Sequence, residues 1–150
     1  MTEAEFWNLI AHLDWARTGD DEAVVEPVVE SLSSRDVADI EAFEELLAHK
    51  LFSLDTVGHA RAIGKYAFKG SDEGFSVDLF LYARCCAVAN GRKFFEQVLA
   101  DPSKMPKDME FEALLSVAAK AHERKTGESF DFVPSVSYET FANRGGWAAA

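Results

Sequence analysis

The fold class follows from one stretch of the chain, residues 33–51, which reads SSRDVADIEAFEELLAHKL. Its apolar residues recur every three or four positions, as they do along one face of a helix, and most of the positions between them are polar or acidic. The serines and the aspartate at its start are residue types that cap helix N-termini. The stretch therefore predicts a long amphipathic helix that buries Val37, Ile40, Phe43, Leu47 and Leu51.

The same periodicity predicts further helices on both sides of this stretch. They span about residues 2–16, 21–32, 55–63, 75–89, 92–99 and 108–126. In the second of them Pro27 leaves two alternatives, because proline removes a backbone donor: the helix begins near Val25, or it is kinked at the proline. No alternation of apolar and polar residues is strong enough to build a sheet. The expected fold is all-α, a single compact bundle of six to seven helices with a core led by Phe6, Ile10, Phe43, Leu47, Phe80, Phe111 and Leu115.

The domain organisation follows from the length and from the last helix. A chain of 150 residues that is 48% apolar fits one domain with a core of its own. Gly127 is expected to end the last helix in the left-handed conformation. We therefore expect a helical domain over residues 1–127. Residues 128–150 show no clear period, and we expect an irregular C-terminal tail, packed on the domain or loosely attached to it.

The net charge is distributed unevenly along the chain. Residues 1–49 hold thirteen acidic and two basic residues, a net charge of −11, whereas residues 50–150 hold thirteen of each. Such an excess disfavours binding to nucleic acid, which requires clustered Lys and Arg, and binding to anionic membranes. No apolar run approaches the length that spans a bilayer, and the N-terminus lacks the pattern of a secretory signal. The adjacent Cys85 and Cys86 are expected to stay reduced, so a cytoplasmic protein is predicted.

No catalytic, metal-binding or cofactor motif stands out. The chain contains no Glu-x-x-His or His-x-x-x-His spacing, no glycine-rich phosphate loop, no nucleophile elbow and no zinc-finger spacing. We expect no metal and no cofactor, and we assign no catalytic residue. Enzymatic activity stays undecided, and no motif favours it. The histidines fall on four different predicted helices; they are His12, His49, His59 and His122.

Three blocks of sequence carry a resemblance to a known family. They are residues 6–10 (FWNLI), residues 55–63 (DTVGHARAI) leading into residues 71–75 (SDEGF), and residues 110–119 (EFEALLSVAA), together with Arg84 and the Asn-Gly-Arg of residues 90–92. In this order, over about residues 5–130, they resemble the bacterial family called domain of unknown function 4240. The resemblance implies a small helical domain and no established activity. Val57 and Cys86 stand where the family is expected to carry tryptophan, which implies a pocket that is altered or absent if those positions line one.

The acidic excess provides the first candidate site. If the second and third helices form an antiparallel hairpin, their outward acids form one surface. We expect that surface to bind a basic partner protein, as immunity and antitoxin proteins bind basic enzymes. The alternatives are a solvated face that aids solubility and a face neutralised by Lys50, Lys65, Lys69 and Arg92 of the same fold. The candidate partner-binding residues are Asp20, Asp21, Glu22, Glu26, Glu30, Asp39, Glu41, Glu44 and Glu45.

The second candidate site is a polar pocket among the family-like blocks. A loop carboxylate that faces an arginine can bind a small ligand or position a substrate, so a small-molecule-binding protein or an enzyme is the alternative function. The competing interpretation is that Ser71 or Asp72 only caps a helix. The sequence sets no oligomeric state. The possible pocket residues are Trp7, Ser71, Asp72, Arg84 and Arg92.

Overall fold

The computed structural model describes residues 1–148, and the regular structure within them is helical throughout. Short 3-10 turns lie at Trp15–Arg17, Pro102–Lys104 and Glu112–Ser116. The all-α prediction is confirmed, with one α-helix more than the upper number expected. No helix in this part of the chain combines the length and apolar character that crossing a membrane requires. The eight α-helices found in it are α1 (Glu3–Ile10), α2 (Asp21–Ser33), α3 (Val37–Ser53), α4 (Val57–Ala60), α5 (Val77–Ala89), α6 (Arg92–Ala100), α7 (Val117–Thr126) and α8 (Arg144–Trp147).

The backbone divides into two compact units. Unit 1 consists of Met1–Leu47 and Ala113–Ser135, so it contains α1, α2, the first part of α3, and α7. Unit 2 consists of Ala48–Glu112 and the segment from Val136 onward, so it contains the end of α3 together with α4, α5, α6 and α8. Each unit is therefore built from two stretches of chain that are distant in the sequence.

Unit 1 contains the buried pair Phe6 and Phe43, whose ring centroids are 5.1 Å apart. α1 begins with a capping box. The Thr2 hydroxyl accepts a hydrogen bond from the Glu5 amide, and the Glu5 carboxylate accepts one from the Thr2 amide. These bonds satisfy two backbone donors that would otherwise have no partner at the helix start. The helix ends at Ile10, whereas its periodicity predicts a helix that continues to about residue 16.

The helix α2 begins at Asp21 and continues to Ser33. Asp20 caps it, because its carboxylate accepts a hydrogen bond of 3.2 Å from the amide of Ala23. Pro27 therefore lies inside the helix, and the alternative that the helix begins near Val25 is wrong. α2 packs on α1 and α7, and its buried face consists of Val24, Val25, Val28, Val29 and Leu32.

Unit 2 contains the helix α5, in which nine of thirteen residues are buried. This confirms the prediction of a mostly buried helix over residues 75–89. The buried residues include the arginine of the family-like blocks, Arg84, and both cysteines. A buried arginine requires hydrogen-bond partners for its guanidinium. The partners of Arg84 come from separate segments of unit 2.

The helix predicted over residues 108–126 is wrong in its first half. Asp108 adopts a left-handed conformation with a φ of 55°, and its amide donates a 2.9 Å hydrogen bond to the carbonyl of Ile63. The amide of Phe111 donates a 3.1 Å bond to the carbonyl of Tyr82. These bonds to distant backbone groups replace the bonds that a helix would make, so α7 starts only at Val117, after a 3-10 turn.

The end of α7 follows the sequence more closely. Gly127 adopts a φ of 75° and ends the helix in the left-handed conformation, as predicted. Two adjacent leucines just before the helix differ in burial. Leu114 is fully buried, whereas Leu115, which was predicted in the core, is only half-buried.

Candidate functional site

The whole net charge of the chain resides in unit 1. Its two stretches hold sixteen acidic and five basic residues, whereas unit 2 holds ten of each. The imbalance predicted from residues 1–49 is therefore a property of a folded unit and not only of a stretch of sequence. A unit with a net charge of −11 creates a negative potential around itself.

Three acids of α2 form a stripe along the helix. Glu22, Glu26 and Glu30 are spaced four residues apart, and all three are exposed. The ammonium of Lys120 hydrogen-bonds the Glu22 carboxylate. The guanidinium of Arg124 donates bonds of 2.6 and 3.0 Å to the two oxygens of Glu26, and these bonds lower the pKa of Glu26. Cations of α7 therefore neutralise part of the stripe, a pairing that the sequence analysis did not anticipate.

The acids of α3 occupy varied environments. Asp39 accepts a 3.2 Å hydrogen bond from Arg35, and its other oxygen lies 3.6 Å from the terminal amine of Met1. Glu45 accepts a 2.9 Å bond from the amide of Ser135 and a further bond from its hydroxyl. Glu41 is half-buried. The acids of α3 therefore do not form one outward row.

Glu44 is the clearest departure from the predicted outward face. Only 6% of its surface is exposed, because it lies four residues after Ile40 and four before Ala48 on the inward side of α3. Burial raises its pKa to about 7, since the charged form is poorly solvated there. Glu44 therefore does not contribute to an acidic docking surface.

The ion pairs of unit 1 leave most of its acids unbalanced. Four of its five basic residues already contact acids of the same unit: Arg17 contacts Asp14, Arg35 contacts Asp39, Lys120 contacts Glu22 and Arg124 contacts Glu26. The negative excess remains after these pairs are formed. It includes the exposed carboxylates of Asp20, Asp21 and Glu30 on α2 and its cap.

The residues predicted to form a polar pocket each have different contact partners. Trp7 lies in unit 1, where its ring centroid is 5.1 Å from that of Phe6. Arg92 donates a 2.9 Å bond to Glu96 on the exposed side of α6. Ser71 and Asp72 are exposed in the loop before α5, where the Ser71 hydroxyl accepts a long bond from the Glu73 amide.

Arg84, the remaining pocket residue, is fully buried. One terminal nitrogen of its guanidinium donates to the carbonyls of Leu51 at 3.0 Å and Tyr138 at 2.9 Å, and the other donates to the Thr140 hydroxyl at 3.1 Å. Its guanidinium carbon lies 4.5 Å from the ring centroid of Phe80. These contacts give Arg84 a role in holding the backbone of unit 2.

A cleft of about 220 Å³ opens elsewhere in unit 2. Ile63 and Ala83 are its buried lining, whereas Tyr66 and Met109 are 45% and 58% exposed. Two carboxylates belong to its edge, and one of them, that of Asp108, accepts a bond from the Lys65 amide. Such a cleft can receive an apolar group that carries a positive charge. The complete lining is Ile63, Tyr66, Leu79, Ala83, Asp108, Met109 and Glu110.

Sequence reasoning missed this cleft for a physical reason. The residues Asp108, Met109 and Glu110 were assigned to the start of a helix, where their side chains would point in different directions. The left-handed turn at Asp108 instead places all three along one opening. The only local signal was the Pro106-Lys107-Asp108 sequence, which is typical of a turn.

His59 and both cysteines are buried in unit 2, whereas His12 and His49 are exposed. His59 is buried in unit 2: its Nε2 donates a 2.8 Å bond to the Val98 carbonyl, and its Nδ1 accepts a 2.6 Å bond from the Thr56 hydroxyl. Burial lowers the pKa of His59 and raises that of the Cys86 thiol. Among residues 1–148, no group of three or more His, Cys, Asp or Glu side chains is arranged to hold a metal ion.

Asp55, at the start of the helix predicted over residues 55–63, is a further buried residue. Its side chain is fully buried and accepts three hydrogen bonds. They come from the amide of Phe141 at 3.2 Å, the amide of Asn143 at 3.0 Å and the indole of Trp147 at 2.7 Å. The neighbouring Thr56 caps α4. Asp55 and Arg84 are thus the two buried charges that hold the C-terminal segment.

The comparisons with known proteins identify a family. The sequence model of the family described as "Protein of unknown function (DUF4240)" matches residues 1–124. Because the match covers most of the chain, the chain belongs to this family, and the resemblance carried by the three sequence blocks is confirmed. No curated protein and no solved structure matches the chain. The matched part includes Asp55 and Arg84, and the segment that they bind lies outside it.

Proposed function

We propose that this member of the DUF4240 family is a protein-interaction module whose acidic unit 1 binds a basic partner protein. The observation that supports this proposal most strongly is the confinement of the net charge of −11 to one folded unit. Surface charge that is not balanced within its own unit accelerates the encounter with an oppositely charged protein. The absence of a catalytic motif in the sequence is consistent with a binding role.

The contacts found in unit 1 indicate which of its acids are left to attract a partner. Glu22 and Glu26 already contact cations of α7, and Glu45 binds the backbone of Ser135. Asp21 and Glu30 are exposed at opposite ends of α2. We therefore assign the main electrostatic attraction to the carboxylates near these two ends, with the rest of the excess adding to the field.

The test begins with affinity purification from the native host, followed by kinetic measurements on each captured protein. We expect the association rate of the partner to fall steeply between 0.1 M and 1 M salt, because the Debye length falls from about 10 Å to about 3 Å. The variant Asp21→Lys/Glu30→Lys should lower the association rate more than it raises the dissociation rate.

A matched control distinguishes a local surface from total charge. The variant Asp72→Lys/Glu73→Lys reverses two exposed acids in unit 2 and changes the net charge by the same amount. It should alter the association rate much less than the α2 variant. Equal effects of the two variants, or binding that ignores both salt and charge reversal, would contradict the proposal.

The cleft of unit 2 supports a second candidate function, the binding of a small amphipathic cation. Its apolar lining and the carboxylates of Asp108 and Glu110 favour an alkyl group next to an amine. Titration with hexylamine should shift the NMR signals of Tyr66 and Met109, whereas hexanoate, with the same chain and the opposite charge, should not. Equal shifts with both compounds would exclude a role for the carboxylates.

A further inference from the structure

The C-terminal segment from Tyr138 to Trp147, here called the strap, is held mainly by side chains of unit 2 and has little regular structure of its own. Its one helix, α8, is four residues long. Arg84 donates to the Tyr138 carbonyl and the Thr140 hydroxyl, and the Thr140 hydroxyl donates to the carbonyl of Val77 at 2.8 Å. The strap therefore depends on a receiving surface on unit 2.

Asp55 recognises the strap chiefly through its main chain. Two of the three bonds that it accepts come from backbone amides, those of Phe141 and Asn143. The backbone also approaches closely at Gly146, where an added Cβ would lie only 2.6 Å from the Asp55 carbonyl oxygen. The receiving surface thus fits a peptide backbone with glycine at this position, as peptide-binding sites do when main-chain bonds provide affinity.

An aromatic slot receives the indole of Trp147. Phe68 meets it edge to face at a centroid distance of 5.3 Å, and Phe75 and Phe80 lie at 6.1 Å each. The indole nitrogen donates to Asp55 at the same time. Tryptophan therefore acts as the specificity anchor, with its apolar ring among phenylalanines and its polar group on a buried carboxylate.

The receiving surface and the strap differ in their relation to the family. Asp55, Arg84 and the three phenylalanines lie within residues 1–124, which match the family, whereas the strap lies beyond them. Within residues 1–148, the Nε of Arg84 is buried and has no hydrogen-bond partner, so the strap does not use every donor that the surface offers. The receiving surface therefore lies within the matched region, whereas the segment that occupies it does not, and one buried donor of the surface stays unused.

We propose that this surface is a peptide-recognition site, filled in the structure by the chain's own strap and able to bind the same strap from a second copy of the chain. Residues 128–134, which precede the strap, form no helix or strand, so a change of partner requires no regular element to unfold. The inference concerns unit 2 and does not depend on the acidic surface of unit 1.

The test measures binding of the strap in trans. The probe is a fluorescent peptide of residues 136–148, VSYETFANRGGWA, titrated into the full chain and followed by fluorescence anisotropy. The chain with Trp147→Ala should bind this peptide at least about tenfold more tightly than the unaltered chain, because its own strap no longer competes effectively. A peptide that itself carries Trp147→Ala should bind at least about tenfold more weakly.

The remaining outcomes also decide the question. If the Trp147→Ala chain keeps its helical dichroism but does not bind the peptide with a Kd below about 1 mM, the proposal is overturned. If that chain loses its dichroism, the added peptide should restore it, and a failure to restore it overturns the proposal as well. The milder variant Asn143→Ala, which removes the bond from Asn143 Nδ2 to the Phe52 carbonyl, should show a smaller gain in peptide affinity.

Discussion

Units 1 and 2 use charged side chains in opposite ways. Unit 1 carries the entire net charge, and its ion pair between Glu26 and Arg124 is about half exposed on each side. Unit 2 is neutral, yet it buries Asp55 and Arg84 completely, and each of these side chains makes three hydrogen bonds. Exposed pairs contribute little to stability, whereas removing one buried charge leaves its partners unsatisfied. Unit 1 therefore carries an unbalanced charge, whereas unit 2 buries two charged side chains that hold its own backbone.

The variant with the largest expected effect, Phe43→Ala, tests whether the apolar core stabilises unit 1 despite the charge of this unit. Phe43→Ala should lower the free energy of unfolding by about 3 to 5 kcal/mol, because the ring is fully buried against Phe6 and a cavity remains. Urea titration followed by circular dichroism measures the change. Met109→Ala, at an exposed position, is the control and should cost far less. A Phe43→Ala chain as stable as its parent would contradict the assigned core.

The next effect tests whether buried charge holds unit 2 together. Asp55→Asn keeps the shape of the side chain but removes the charge that accepts three hydrogen bonds. The free energy of unfolding should fall by about 2 to 3 kcal/mol, since hydrogen bonds to charged groups are the stronger ones. Asp72→Asn, on an exposed loop, should change it by less than about 0.5 kcal/mol. Equal effects at both positions would contradict a stabilising role of buried charge in unit 2.

Glu44 is the exception in unit 1, a buried acid, and its effect on stability depends on pH. Its pKa in the folded chain is about 7, above the ordinary value of 4.5, so the folded state binds the proton more tightly than the unfolded state. Stability should therefore fall as the pH rises from about 4.5 to 7 and then level off. Glu44→Gln should be more stable than the parent by about 1 to 3 kcal/mol at pH 8 and similar to it at pH 4.

The comparison of urea midpoints for the Glu44→Gln chain and its parent, at both pH values, measures this effect. Glu41→Gln, at a half-buried position one turn earlier on α3, provides the matched control. Because all other titrating groups are shared, they cancel in the difference between variant and parent. A difference that does not change with pH would show that Glu44 is solvated in the folded chain.

Features of the fold that depend on neighbouring residues could be predicted from the sequence. The capping box of Thr2 and Glu5 and the left-handed cap at Gly127 each involve groups a few residues apart, so the local pattern contains the information. The left-handed conformation of Asp108 was not specified by the local sequence, although Pro106 indicates a turn, because a hydrogen bond to the distant backbone of Ile63 fixes it.

The same distinction applies to the candidate site. The exposed acids of α2 follow from helical periodicity, and the burial of Glu44 was also readable from its spacing to Ile40 and Ala48. The pairing of α2 with cations of α7 spans 98 positions in the sequence and depends on how the two helices pack. The role of Asp55 likewise depends on the strap, whose irregular sequence gives no periodic signal.

The smallest expected effect tests the exposed charges of unit 1 directly. A double-mutant cycle with Glu26→Gln and Arg124→Gln isolates the coupling between the two side chains. Because both are about half exposed, the coupling should be only about 0.2 to 1 kcal/mol, in spite of the two hydrogen bonds that join them. It should shrink further at 1 M salt, where screening is stronger.

A coupling of several kcal/mol that persists at high salt would show that this pair holds the structure of unit 1 together. The two units would then differ only in how strongly their charged side chains contribute to stability. A small, salt-sensitive coupling would leave the acids of α2 available for a competing basic protein, because the cost of exchanging Arg124 for a partner's arginine would be low.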